Sequence, residues 1–80
     1  MKPKFTLQII SPAGLKYLAV KIWLGDEQIG EVNREQGEPI LELYPRSDGE
    51  PWRVSVEEFM EVLTKACREI RSHQRLSNEA

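Results

Sequence analysis

Hydrophobic and polar positions alternate near the start of the chain, with the period of two that is typical of a strand with one buried face. Phe5, Leu7 and Ile9 are the apolar positions, and polar residues stand between them. A turn signal, Ser-Pro-Ala-Gly, follows at residues 11–14. The pattern therefore predicts a first strand that ends in a reversal of the chain.

The longest apolar stretch, LKYLAVKIWL at residues 15–24, predicts a second strand with notable side chains on both faces. One parity is aliphatic and is expected to enter the core: Leu18, Val20, Ile22 and Leu24. The other parity combines two aromatic rings with a cation: Tyr17, Lys21 and Trp23. Such a face suits a ligand platform, a subunit interface or ordinary sheet surface, and the pattern alone leaves all three open.

Shorter strands separated by turns follow. The segments QIGEV at residues 28–32 and ILELY at residues 40–44 predict the third and fourth strands, and residues 52–54 predict a brief fifth one. Gly30 interrupts the alternation of the QIGEV segment. A bulge at Gly30 would turn the apolar residues of that segment to the same face. The short connections favour antiparallel neighbours, because parallel strands need a crossover of a dozen or more residues.

The last third of the chain predicts a helix. Ser55 and Glu58 match a capping box, and Val54 and Phe59 stand where a hydrophobic staple forms. Apolar residues then recur three and four positions apart on one helical face, which other apolar residues widen. They are Val56, Phe59, Leu63, Ala66 and Ile70, with Met60, Val62 and Cys67 beside them. We expect a helix from about Val56 to Ser72, and fraying of the polar residues beyond it.

These elements predict an α+β fold, an antiparallel meander sheet of four to five strands with one C-terminal amphipathic helix packed on one face. Residues 1–72 are expected to form a single compact domain and residues 73–80 a frayed tail. One helix covers one sheet face. The expected core face of the β-region is Phe5, Leu7, Ile9, Leu18, Val20, Ile22, Leu24, Leu41, Leu43, Trp52 and Val54. The expected uncovered face is Thr6, Gln8, Tyr17, Lys21, Trp23, Glu42, Tyr44 and Arg53.

Length and composition add two constraints. Eighty residues, 40% hydrophobic and 30% charged, form one small domain whose core would gain from dimerisation. The net charge of −2 conceals a segregation along the chain. Residues 1–24 carry four lysines and no acid, whereas residues 25–61 carry eleven acids against three arginines. This balance disfavours nucleic acid as a partner without excluding a local basic patch.

Catalytic and metal-binding patterns are lacking. The chain has one cysteine, Cys67, and one histidine, His73, too few for an internal disulfide, a zinc site or a nucleophilic triad. Five acids lie near the predicted hairpin turns in a spacing that matches a solvated turn better than a calcium loop. These are Asp26, Glu27, Glu31, Glu35 and Glu38. We expect no enzyme activity, metal or cofactor, no membrane span and a cytoplasmic location.

The uncovered face is therefore the candidate contact surface. Aromatic and arginine side chains are the usual anchors of protein interfaces. We expect a non-enzymatic protein-binding module, and the favoured interpretation is a homodimer. The partner, or the second copy of the chain, is expected to contact Tyr17, Lys21, Trp23, Tyr44 and Arg53.

Two alternatives remain open. The segment from Gly49 to Phe59, a strand that ends directly in a capped helix, resembles in topology the Whirly and Pur-alpha type of single-stranded nucleic-acid proteins. That resemblance implies weak single-stranded DNA or RNA binding, with stacked rings and cations on phosphates. The residues concerned are Lys4, Lys16, Tyr17, Lys21, Trp23 and Arg53. In the second alternative, the acidic residues 25–61 dock on a basic partner, as a small inhibitor of a nuclease would.

Overall fold

The computed structural model describes residues 4–11, 18–34 and 37–79, with side chains as far as residue 72. Four antiparallel strands form one open sheet in the order β1-β2-β3-β4, and a single C-terminal helix packs on it. The predicted α+β meander is confirmed. The elements are β1 (Phe5–Ile10), β2 (Ala19–Leu24), β3 (Glu27–Asn33), β4 (Ile40–Leu43) and α1 (Val56–Glu79).

The predicted fifth strand does not form in the structure. Residues 52–54 lie in the connection between β4 and α1 and pair with no strand in the described part of the chain. Pro45 and Pro51 have no amide hydrogen to donate to a ladder. Trp52 is held differently, because its indole Nε1 donates to the carbonyl of Tyr44 at 2.8 Å. The sheet therefore has four strands, the lower end of the predicted range of four to five.

The core lies between α1 and the central strands. Its buried aliphatic residues come from β2, β3 and α1, and six partly buried residues surround them. The buried members are Val20, Ile22, Val32, Val62, Ala66 and Ile70. The surrounding members are Phe5, Leu7, Leu18, Leu41, Phe59 and Leu63. The predicted core positions Leu18, Val20 and Ile22 are confirmed. Leu24, Trp52 and Val54, also predicted on the core face, are half-buried outside this cluster.

Four residues expected on the core side are exposed. Leu43 is 57% exposed because it lies in β4, which α1 does not contact. Ile9 is 43% exposed in β1, the edge strand on the other side of the sheet. Val56 and Met60 in α1 are 71% and 61% exposed. They lie outside the narrower stripe of α1 that faces the sheet.

A β-bulge interrupts the pairing of β2 with β3, one residue from its predicted position. Ile22 pairs with Gly30 and Trp23 with Gln28, so Ile29 has no partner in the ladder. Ile29 is 1% exposed but lies outside the core cluster that contains Val32. Gly30 allows β3 and β4 to pack closely, since a Cβ atom at this position would overlap the carbonyl oxygen of Glu42. The close approach of β3 and β4 therefore requires glycine at this position.

The helix begins where the capping box predicts. Ser55 Oγ accepts from the amide of Glu58 at 3.2 Å, and the Ser55 carbonyl accepts from the amide of Phe59 at 2.9 Å. The ring of Phe59 packs against Phe5 at a centroid distance of 5.7 Å. The helical backbone continues to Glu79, beyond the predicted end at Ser72, and residues 73–79 contain no glycine or proline that would stop it.

Replacing Gly30 with alanine should loosen β4. We expect Gly30→Ala to lower the free energy of unfolding by about 1–3 kcal/mol, the usual cost of forcing an extra carbon into a packed site. Hydrogen exchange of the β4 amides should accelerate more than that of β1 and β2. Gly49→Ala is the control for an added methyl group that meets no neighbour. Gly49 has a positive φ of 78°, so alanine there strains the backbone locally, but no atom lies within 4 Å of its added Cβ. Unchanged β4 protection in Gly30→Ala would contradict the close approach.

Candidate functional site

The sheet face turned away from α1 is the candidate site, and we refer to it as the open face. Register places its side chains in three rows that cross the strands. The first row is Ile10, Ala19, Asn33 and Ile40. The middle row is Gln8, Lys21, Glu31 and Glu42. The third row is Thr6, Trp23 and Gln28, with Tyr44 beside it, since the Tyr44 amide donates to the Ile29 carbonyl at 2.8 Å.

Trp23 is the large aromatic side chain of the third row. It is half-buried, and its indole Nε1 donates to Oε1 of Gln8 at 3.1 Å. Gln8 lies in the neighbouring strand, one row away. The hydrogen bond holds the ring against the sheet with part of its surface open to solvent. A fixed, partly exposed indole offers contact area at little cost in side-chain entropy.

Two carboxylates occupy the other end of the middle row. Glu31 and Glu42 lie directly opposite each other in β3 and β4. Asn33 Nδ2 donates to Oε2 of Glu31 at 3.1 Å and to Oε1 of Glu42 at 2.6 Å. Asn33 is 2% exposed. Its amide therefore bridges two like charges that would otherwise repel each other across the strands.

Lys21 stands beside this pair in the middle row. It is the register partner of Glu31, yet among the described residues no lysine or arginine forms an ion pair with Glu31 or Glu42. The described strands thus present two carboxylates and one ammonium group in a single row.

Tyr44 joins the carboxylate pair from the end of β4. Its hydroxyl donates to Oε1 of Glu31 at 3.1 Å. The pKa of that hydroxyl is raised above its ordinary 10.0, first by partial burial, then by the charge of Glu31 and the hydrogen bond to it, and further by the charge of Glu42. Tyr44 therefore acts as a hydrogen-bond donor to the acidic pair rather than as a phenolate.

The structure brings together part of the predicted contact set. Lys21, Trp23 and Tyr44 share the open face. Arg53 is exposed in the connection before α1, where no strand places it on the sheet. Tyr17, together with Lys16 of the nucleic-acid alternative, lies outside the described residues.

Lys4 belongs to a different surface. It is exposed just before β1 and lines a groove between β1 and α1, on the helix side of the sheet. Of the nucleic-acid set, the described part of the chain places only Lys21 and Trp23 on the open face. The described residues form no row of cations on that face.

Four residues of the site were not among the predicted contacts. Gln8 positions Trp23, while Glu31 and Asn33 form the acidic cluster with Glu42. The signal that could have revealed them is register. Glu31 and Glu42 are opposite because of the register of β3 with β4, and the bulge shifts only Glu27 and Gln28 relative to β2.

The second tryptophan, Trp52, is held in place by contacts within the chain. The guanidinium of Arg46 lies 5.5 Å from the centre of the Trp52 ring and forms ion pairs with Asp48 at 3.0 Å and Glu27 at 3.8 Å. Together with the hydrogen bond to Tyr44, these contacts fix the β4–α1 connection on the sheet. Trp52 therefore differs from Trp23 in having its ring covered by a cation.

No protein-family model, no curated protein and no solved structure matches this chain. Within the described residues, no group of three or more histidine, cysteine, aspartate or glutamate side chains is arranged to hold a metal ion. No helix in that part of the chain is both long enough and apolar enough to span a bilayer. The geometry of the open face is thus the basis for a functional proposal.

Tyr44 should ionise later than an ordinary tyrosine. In a Tyr17→Phe background, phenolate absorbance should rise above pH 10, and Glu31→Gln should move this titration toward lower pH by removing the charge that disfavours the phenolate. The raised folded-state pKa contributes stability that is fully present below the unfolded value near 10 and is lost as pH rises through the folded value. Glu57→Gln, on exposed α1 surface, is the control. Equal titration in all three proteins would contradict the contact.

Proposed function

We propose that the chain is a non-enzymatic protein-binding module that contacts its partner through the open face. The observation that supports this proposal is the juxtaposition of a half-buried indole with a carboxylate pair that no lysine or arginine of the described residues neutralises. Partly exposed aromatic side chains are typical anchors of protein interfaces. The single cysteine agrees with a cytoplasmic setting, which we propose with it.

The acidic pair indicates the chemistry of the partner. Like charges placed directly opposite each other in neighbouring strands destabilise a sheet. Natural sequences break such local rules most often where a function requires it. A lysine or arginine from a partner would meet the carboxylates of Glu31 and Glu42. An apolar group of that partner would cover Trp23.

A basic partner of this kind is also what the acidic-inhibitor alternative requires. A basic protein surface docked on Glu31 and Glu42 is what an inhibitor of a basic partner would bind. The single-stranded nucleic-acid alternative has weaker support, because phosphates would approach two carboxylates and one lysine on the same row. Lys4 and Arg53 lie elsewhere.

Selection of peptides from a random display library on the immobilised protein tests the partner class. We expect enriched peptides to combine lysine or arginine with an apolar or aromatic residue. Trp23→Ala should weaken their binding by about ten-fold or more, as expected for an interface anchor, and leave the helical circular dichroism intact. Glu42→Gln should weaken binding less at high salt than at low salt.

Met60→Ala is the matched control, because Met60 is 61% exposed on α1, on the other side of the sheet. It should bind the peptides as the native chain does. Equal binding by Trp23→Ala would contradict the open face as the contact surface. Loss of the helical signal in Trp23→Ala would assign Trp23 to the core instead.

Titration with a mixed single-stranded oligonucleotide tests the alternative. Tryptophan fluorescence should show no salt-sensitive quenching, because the described residues of the open face include one cation, Lys21, beside two carboxylates. Counterion release would make real nucleic-acid binding fall steeply with salt. Quenching that weakens with salt and disappears in Trp23→Ala would replace the protein-partner proposal with the nucleic-acid one.

A further inference from the structure

The outer edge of β1 is unpaired in the described part of the chain. Toward β2, the Lys4 carbonyl accepts from the amide of Gly25 at 3.1 Å, which makes these opposite residues a hydrogen-bonded pair. Such pairs alternate with non-hydrogen-bonded ones in an antiparallel ladder, so the even-numbered residues of β1 bond to β2. The amides and carbonyls of Phe5, Leu7 and Ile9 therefore point to the free edge.

A groove lies beside this edge, between β1 and α1. Its volume is about 590 Å³, and Phe5, Leu7 and Val62 supply its apolar lining. Ile9, in line with the two β1 residues, is 43% exposed. The helix-covered core is thus open toward β1, where an unpaired edge and uncovered apolar surface meet. Natural proteins usually cover or charge such edges.

The rim of the groove is electrically balanced. Lys4 and Lys65 carry positive charge, and Glu58 and Glu61 carry negative charge. Among the described residues, none of these four side chains takes part in an ion pair. Along α1 the acids precede the lysine. A second copy of α1 running in the opposite direction would therefore set each acid near a cation.

We propose that the β1 edge and this groove form the interface of a two-fold symmetric homodimer. The occupant is a second copy of the chain, because both the edge and the rim are complementary to themselves under a two-fold axis. Antiparallel pairing of β1 with its copy would produce a continuous eight-stranded sheet with both helices on one side. The apolar linings of the two grooves would then cover each other.

The register follows from the geometry. With the axis at Leu7, Leu7 pairs with its own copy and Phe5 pairs with Ile9 of the partner subunit, so every outward amide and carbonyl of these residues is used. Phe59 packs on Phe5, and Val62 and Lys65 line the same groove as Leu7. The same axis therefore passes near the middle of the α1 segment that borders the groove, between Glu61 and Lys65. It places Glu61 opposite Lys65 of the partner subunit.

The open face suits a second copy less well than the groove does. Its middle row holds two carboxylates and one lysine, whereas the groove rim holds two charges of each sign. An unpaired strand edge adds backbone hydrogen bonds that a sheet face lacks. The dimer interface and the partner surface of the preceding proposal are thus separate.

Sedimentation equilibrium over a range of concentrations tests the dimer. The average mass should approach twice the 9.3 kDa of the chain. Glu61→Lys and Lys65→Glu should each raise the dimer dissociation constant by about ten-fold, because each places like charges opposite each other at two symmetric positions. The double variant Glu61→Lys/Lys65→Glu should restore the native constant within about three-fold.

Ile9→Lys and Met60→Lys complete the design. Ile9→Lys places a charge at the centre of the paired edges and should raise the dissociation constant by about ten-fold or more. Met60→Lys, on α1 outside the groove, should leave it unchanged. Circular dichroism of each variant verifies the fold, which these exposed positions should preserve.

A native chain that stays at 9.3 kDa up to about 1 mM, a concentration at which even weak complexes form, would overturn the dimer. Charge reversals without effect on a dimer would overturn it too. A dimer that dissociates in Trp23→Ala but not in Ile9→Lys would move self-association to the open face. The selected peptides should still bind monomeric Ile9→Lys, so failure of the dimer and failure of the proposed function are distinguishable.

Discussion

The packing of a single helix against the central strands is the contact on which the rest of the fold depends. Burial of one aliphatic side chain of this size contributes about 1.5–3 kcal/mol, and the fully buried set is small. Ile22 and Val32 on the sheet meet Ala66 and Ile70 on α1 at its centre. One helix does not reach across four strands. The open face, the exposed β4 edge and the groove beside β1 all follow from that limit.

Periodicity predicted most of this arrangement. The period of two in β1 and β2, the turn signals and the capping box at Ser55 are local features, and local features are visible in one sequence. Side chains at the border of the covered area were harder to assign. Ile9 and Leu43 have the parity of core residues but lie in edge strands, and parity carries no information about how far α1 extends.

The candidate site was only partly accessible to the same reasoning. Trp23, Lys21 and Tyr44 were predicted to share a face because parity alone places them there. The acidic cluster depends on which residues of β3 and β4 lie opposite each other, and that register is a long-range pairing. In the same pair of strands, the backbones at Gly30 and Glu42 approach too closely for a Cβ atom. A long-range steric requirement of this kind has no local signature.

The two proposed surfaces also have a joint consequence. A two-fold axis through Leu7, perpendicular to the sheet, leaves both open faces on the same side of the continuous sheet, with both helices on the other. A partner with repeated basic sites could then engage Glu31 and Glu42 of both subunits at once. Simultaneous engagement raises apparent affinity without any new contact, provided that the spacing of the partner's sites fits. A module with a modest contact area would gain from such an arrangement. In the proposed dimer, pairing of the two β1 edges would enlarge the apolar core and would also present two open faces to one partner.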